Sequence, residues 1–405
     1  MSIIVQKFGG TSLGDIDKIK RACSLISREC EKGNQVVVLA SAIAGETDKL
    51  IKLATQFEAK RSPEEYDVIV STGEQVSIGL ISMCLNQMGI KAKSLLGWQI
   101  PIVCDDNNSE AKIIEINKNF IFDLLKQNIV PIIAGFQGIG LKKKRIVTLG
   151  RGGSDTSAVA IAASIKADRC DIYTDVDGVY TSDPRIVKKA KKIDQISYEE
   201  MLEFSSLGAK ILQTRSVAMA MRNNVKVQVL SSTSGKAGTM LVEEEKGMEK
   251  ALVSGITHSK EECNITLINL QDRPGVAAKI FTSLSDSNIN VDMIVQTGSE
   301  SKKNINFTFT VSNADLKQSL SLMNKNKDNI GFERIITNSK LAKISIIGLG
   351  MRTHSGIAKK MFSALASKNI NIHVISTSEI KISVLIDEEY AELAIKTLHS
   401  AFELD

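Results

Sequence analysis

Histidine is scarce in this chain, with four residues in 405, at positions 258, 354, 373 and 399. So scattered, they offer neither metal-ligand spacing nor the makings of a catalytic triad. The six cysteines (23, 30, 84, 104, 170 and 263) include no C-x-x-C pair. Reduced thiols in an intracellular, cytoplasmic protein are therefore expected. No stretch approaches ~18 apolar residues, and the opening MSIIVQKF is too short and wrongly flanked for a signal peptide. Neither sign of charge is in large excess. The 51 basic and 46 acidic residues leave +5, too weak a balance to argue for nucleic acid or a membrane surface. The basic runs KKKR (142–145) and KKAKK (188–192) lack interleaved aromatics and read as solvated loops. G-x-G-x-x-G and G-x-S-x-G are both missing, so a dinucleotide fingerprint and a nucleophile elbow are unsupported.

What is present is length for two or three domains and an ordinary globular composition, 43% apolar and 24% charged. The apolar runs IIVQKF, QVVVLASA, IVPIIAGF, CDIYTDV and VKVQVL read as strands covered on both faces. Between them, Ile78, Ile81, Leu85 and Met88 recur at helical spacing, as do Ala158, Ile161, Ala162 and Ile165. That alternation predicts a mainly parallel α/β sheet. EEEKGMEK, at 243–250, reads as a linker. Beyond it, DRPGVAAKIFTSLSDSNINVDMIVQ and RTHSGIAKKMFSALASKNINIHVIS align without gaps, Gly275 matching Gly356 and NIN at 288–290 matching NIN at 369–371. Each copy predicts a strand, a glycine turn, a helix and a strand.

Four stretches carry chemistry. QKFGGTS sets Lys7 before Gly9 and Gly10, the reverse of the P-loop order. It reads either as a tight turn after a first strand or as a phosphate site of another kind. STGEQ, at 71–75, spaces Thr72 and Gln75 as a capping box and puts Glu74 in a first helical turn. There Glu74 either answers the helix dipole or holds a substrate ammonium. GRGGSDTSA, at 150–158, starts a helix after a glycine-rich turn, where free N–H groups attract an anion. Arg151 adds a fork suited to carboxylate or phosphate, and Asp155 would orient a lysine or a metal ion; a plain N-cap is the alternative. YTDVDGVYTSDPR, at 173–185, carries a strand end, an Asp-Gly hairpin turn and a turn at Asp183-Pro184. It is either a structural hairpin or part of a ligand crevice.

These stretches, with SA and ETD at 41–48, GFQG, GAKILQTRSV, RPGVA and VISTSEIKISVLI, resemble the aspartokinases of the amino-acid-kinase superfamily over nearly the whole chain. The resemblance implies an αβα sandwich kinase domain over 1–245, a linker and first regulatory strand over 246–262, and two ferredoxin-like (βαββαβ) ACT domains over 263–338 and 339–405. It implies transfer of phosphate from ATP, with Mg²⁺ carried by the nucleotide, to the side-chain carboxylate of L-aspartate. That step leads towards lysine, threonine, methionine and diaminopimelate. Lys7 and Asp155 would be catalytic. Ser41, Thr47, Glu74, Arg151 and Ser154 would bind aspartate, while Lys7, Gly9, Gly10, Thr174, Asp175, Tyr180, Asp183, Arg185 and Lys210 would bind ATP. Asp272, Gly275, Ala277, Asp292 and Gln296, with Asn369, Asn371 and Ile372, would hold lysine or threonine as allosteric effectors. A homodimer through paired ACT domains is implied, and Met248 is a candidate start for a shorter regulatory subunit. SEAK at 109–112, LLGWQ at 95–99 and HSGIA at 354–358 depart from the family pattern. Another kinase of the same fold, or a sensor with a dead kinase domain, are the rival readings.

Overall fold

The structure is a computed structural model and describes residues 2–57, 61–207, 211–243, 252–298, 304–352, 354 and 356–405. It divides into two compact units, Met1–Tyr180 with Lys192–Met248, and Thr181–Lys191 with Glu249–Asp405. Met248 and Ser355, singled out above, lie outside the described residues.

The first unit is built on an eight-stranded sheet. Its spatial order is Gln195–Ser197, Thr239–Val242, Val227–Ser231, Arg169–Thr174, Ile3–Phe8, Gln35–Ala40, Val130–Ala134 and Ala92–Leu95. Neighbours run parallel, except that Val227–Ser231 and Thr239–Val242 are antiparallel. All five strands expected from unbroken apolar runs are present, because helices cover both faces. On one face the Ile16–Glu31 and Thr72–Gln87 helices deliver Ile19, Cys23, Ile26, Ile78, Ile81 and Leu85 to a core with Phe8, Val38 and Ile132. Met88, placed on that same stripe by spacing, instead caps the helix and is exposed. On the other face lies Gly153–Ser164, whose residues from Gly153 to Ala162 are all buried. A smaller sheet joins Ile113–Ile116, Ile102–Cys104, Gln137–Gly140 and Ile146–Thr148.

Pro63–Val70 and Thr72–Gln87 follow one another across Ser71. The combined run, Pro63–Gln87, is the one helix among the described residues long and apolar enough to cross a membrane, and half of its apolar window is buried inside the protein. Of its buried residues, Ile78, Ile81 and Leu85 belong to the core just described.

The second unit carries a six-stranded antiparallel sheet. Its order is Ile294–Gly298, Asn304–Ser312, Gly255–Gln271, Arg334–Ile347, Lys381–Asp387 and Val374–Thr377. The repeat is reproduced in detail. Gly275 (φ 90°) and Gly356 (φ 99°) precede the Val276–Ser285 and Ile357–Ala366 helices in the left-handed conformation that glycine adopts freely. Asn288 (φ 56°) and Asn369 (φ 55°) turn the chain identically after each helix. Ile280, Leu284 and Ile289 fill one core, and their equivalents Met361, Leu365 and Ile370 fill the other. Residues Gly255–Ser259 pair with Lys343–Ile347, so the half of the sheet containing Lys381–Asp387 draws on chain from both sides of the other half. Thr181–Lys191 also belongs to this unit. Val187 sits in the core with Ile344 and Leu398, and Thr181 Oγ1 is 2.9 Å from Nε2 of the fully buried His399.

Leu284→Ala and Leu365→Ala remove equivalent buried side chains. Each is expected to destabilise the protein by about 2–5 kcal/mol in urea unfolding; a negligible loss at either position contradicts this packing.

Candidate active site

The parallel strands of the first unit end on a common side, where open α/β sheets form their ligand crevices. Lys7 lies on the central Ile3–Phe8 strand, opposite Leu39 on one neighbour and Ile172 on the other. Its Nζ is 2.5 Å from Asp155 Oδ1, and the two residues are only 8% and 7% exposed. Asp155 stands in the first turn of the Gly153–Ser164 helix, where the dipole favours a carboxylate. Sequence had offered a plain N-cap as the alternative; the helix's N-cap residue is Gly152, with no side-chain cap.

After Lys7 the chain folds tightly. The Gly9 N–H donates to the Tyr173 carbonyl at 3.3 Å, and Gly10 opens a short 3₁₀ turn. A side chain on Gly10 would bring its Cβ within 2.8 Å of the Ala42 carbonyl oxygen, so glycine permits the close approach of the 41–46 loop. Ser41 is held there by its N–H to the Phe8 carbonyl. Thr47 lies half-buried in the first turn of Glu46–Ala54.

Glu74 meets the same loop from the other side. Its Oε1 accepts from the Ala42 N–H at 3.1 Å, whereas Oε2 is buried with no hydrogen-bond partner. The residue is 2% exposed. Burial pushes its pKa up to about 7, against the opposing bonds from backbone N–H groups, its own and that of Ala42. The capping box expected here is not formed. Ser71 is the N-cap, without a side-chain bond, and the Thr72 hydroxyl donates back to the Ile69 carbonyl, because the preceding helix runs straight into this one.

Ser154 is buried at the helix start, while Arg151 is exposed and its guanidinium makes no hydrogen bond or ion pair among the described residues. Thr174 ends the Arg169–Thr174 strand, and its hydroxyl donates to the carboxylate of Asp175 at 3.1 Å. The Asp-Gly pair that follows is a series of bends and not a two-residue hairpin; Tyr180 instead bridges to Lys192. Asp183 and Arg185 pair with each other at 2.7 Å in the second unit. Lys210 lies outside the described residues.

A cavity of about 280 Å³ opens beside Asp175, lined also by Thr11, Ser12, Lys18, Arg21, Ser232 and Thr233. These six escaped the sequence reading. Thr11 and Ser12 continue the QKFGGTS motif, and Ser232 and Thr233 follow a predicted strand, so the rule that ligands gather at strand ends would have flagged them.

Among the effector candidates of the second unit, Asp272, Gly275, Gln296, Asn369 and Asn371 are exposed, and Ala277 and Ile372 are half-buried. Asp292 is committed to an ion pair with Lys343, which also meets Glu262 at 2.9 Å. Burial opposes the charge on Lys343, but the two carboxylates outweigh it and hold the ammonium above its ordinary range.

Because Glu74 binds its proton more tightly folded than unfolded, where 4.5 is its ordinary value, the stability it contributes is fully present below pH 4.5. It is lost as pH rises through about 7. Glu74→Gln is expected to remove that loss, gaining on the wild type in thermal unfolding as pH rises from 5 to 8. Parallel curves for the two proteins would show that Glu74 does not titrate in this range.

Residues 2–231 match the amino acid kinase family, and residues 264–326 and 344–402 match the ACT domain. An aspartate kinase of Pseudomonas putida is 48% identical over 406 residues, covering 100% of this chain and 98% of its own length. Among solved structures, E. coli aspartokinase III in complex with aspartate and ADP (R-state) superposes with a TM-score of 0.81 at 27% identity, covering 98% of this chain and 99% of that one. The same enzyme with lysine and aspartate (T-state) gives 0.78 at 28% identity, with 99% coverage of both chains. The chain belongs to the amino acid kinase family, as an aspartokinase with C-terminal ACT modules.

Proposed function

We propose that the Lys7–Asp155 pair is the catalytic centre for phosphoryl transfer to the β-carboxylate of L-aspartate, in the entry step to lysine, threonine, methionine and diaminopimelate. One observation carries this reading: a buried lysine held by a carboxylate where parallel strand ends meet a helix N-terminus. The nucleophile is an ionised carboxylate, with a reference pKa near ~4, so no general base is required. Its oxygen attacks the γ-phosphorus, the bond to the β,γ-bridging oxygen breaks, and that oxygen leaves with ADP. Catalysis of such a step is positioning and charge stabilisation. Lys7 and the Gly10 N–H meet the charge on the transferring group, and Asp155 keeps Lys7 aimed. Glu74 and Arg151 grip the ammonium and α-carboxylate, with Ser41, Thr47 and Ser154 around them. The nucleotide extends past Thr174 and Asp175 into the neighbouring cavity, with Tyr180 as a further contact.

Mg²⁺ would supply added charge neutralisation on the phosphates. Carried by the nucleotide, it would be held mainly through phosphate oxygens. The free thiols support a reducing cytoplasm.

The modules at 263–338 and 339–405 are proposed to bind lysine, threonine or both, through Asp272, Gly275, Ala277, Asp292 and Gln296 and through Asn369, Asn371 and Ile372. The solved E. coli enzyme with lysine supports this. Ile294 and Ile375 stand at equivalent positions on the two edge strands and are 51% and 45% exposed. A second copy paired on these edges, giving a homodimer, would cover both.

ADP release that depends on aspartate tests the reaction, and Lys7→Ala is expected to lower kcat by about 10³-fold while the fold survives; near-normal turnover removes Lys7 from the chemistry. Lysine and threonine, singly and mixed, are expected to inhibit. Insensitivity to both overturns the effector reading.

A further inference from the structure

Arg151 lies between two glycines in left-handed conformations, Gly150 (φ 77°) and Gly152 (φ 69°). Neither a helix nor a strand ladder fixes it, so its direction depends on what anchors the turn. Two anchors stand out: Asp67, outside every stretch singled out in the sequence, and Arg215, within GAKILQTRSV.

The first is Asp67, on the Pro63–Val70 helix and fully buried. Its Oδ2 accepts from Asn108 Nδ2 at 2.8 Å, the Ser109 N–H at 3.0 Å and the Thr148 N–H at 3.1 Å. Its Oδ1 accepts from Ser109 Oγ at 3.2 Å and Thr148 Oγ1 at 2.6 Å. All of these donors are neutral, and they come from two separate segments. The second anchor is Arg215, on the Thr214–Asn223 helix. One Nη donates to the Leu149 carbonyl at 2.7 Å and the other to the Ala111 carbonyl at 2.6 Å.

Between the anchors runs 108–111, the segment whose SEAK departs from the family pattern. Its Ala111 N–H donates to the Thr148 carbonyl, and a Cβ on Gly150 would come within 2.9 Å of the Ser109 carbonyl oxygen. Ser109 itself is held at φ 67°, which the two bonds from its N–H and hydroxyl to Asp67 sustain. The segment is therefore a splint, tied to Asp67 at one end and Arg215 at the other, with the Thr148–Arg151 turn lying along it.

We propose that Asp67 and Arg215 are positioning residues that aim the Arg151 guanidinium at the substrate α-carboxylate, an inference that rests on the assignment of Arg151 above. A displacement of about 1 Å at such a site costs on the order of 10²-fold in rate, while Lys7 and the nucleotide side are anchored separately. Asp67→Asn and Arg215→Lys are expected to raise the KM for aspartate about tenfold or more, with the KM for ATP changed less than about twofold. Acting through Arg151, Asp67→Asn is expected to add nothing to the aspartate KM in an Arg151→Ala background. Thr148→Val, which removes one hydroxyl bond, gives a milder version of the same shift if Asp67→Asn fails to fold.

Steady-state kinetics on the full chain decide. If Arg151→Ala raises the aspartate KM while Asp67→Asn or Thr148→Val leaves it unchanged, moves both KM values alike, or adds fully to Arg151→Ala, the proposal is overturned and the role of Arg151 stands. If Arg151→Ala itself leaves the aspartate KM unchanged, the assignment of Arg151 falls and the proposal with it.

Discussion

The geometry of the kinase unit hangs on one buried ion pair. Desolvating an ammonium and a carboxylate together is expensive, and such a pair is weak as a source of stability. Lys7 and Asp155 tolerate it because each is fixed by something stronger. Lys7 is locked by strand pairing on both sides, and Asp155 by a helix whose first ten residues are all buried. The helix dipole adds to the carboxylate's side of the balance. What results is a cation held by Asp155 at the point where the chain leaves the sheet. A mobile surface lysine would neutralise a phosphate equally well, but it would first have to be ordered.

Around that pair the site is assembled by close approach. Ala42 touches Gly10 on one side and Glu74 on the other, and a Cβ at Gly73 would fall 2.7 Å from that of Ala42. The glutamate is thereby set in a dry wall with one oxygen unsatisfied. An unpaired buried polar atom costs about 1–3 kcal/mol, and a substrate ammonium would meet that demand. The same desolvation that raises the Glu74 pKa would strengthen its grip on a cation.

Much of this was legible in the sequence, and the failures share a cause. Unbroken apolar runs gave the parallel strands because burial on both faces leaves no room for alternation. The repeat gave the glycine turn and helix of each module, because those signals are local. The capping box failed because Thr72 was read without the Pro63–Val70 helix that leads directly into it. Asp67 was invisible for a related reason. In PEEYDVIV it looks like one more acid on a solvated helix, and its donors lie more than 40 residues ahead. Thr181–Lys191 reads as part of the kinase stretch, yet Val187 and Thr181 find their partners next to Leu398 and His399. Contacts that join distant segments leave no period to detect.

The duplication has a mechanical consequence within the second unit. Gly255–Gln271 and Arg334–Ile347 each run through both halves of the sheet, so the halves share two strands and are not joined by a linker. A slip of one residue in either strand would turn its buried side chains outward in both halves at once. The register is therefore held by two cores together. Lys343 lies on one of these strands, buried against Glu262 on the other and against Asp292 just before the Ile294–Gly298 edge. Lys343 also stands opposite Leu385 on the Lys381–Asp387 strand, so its place is fixed from both halves of the sheet.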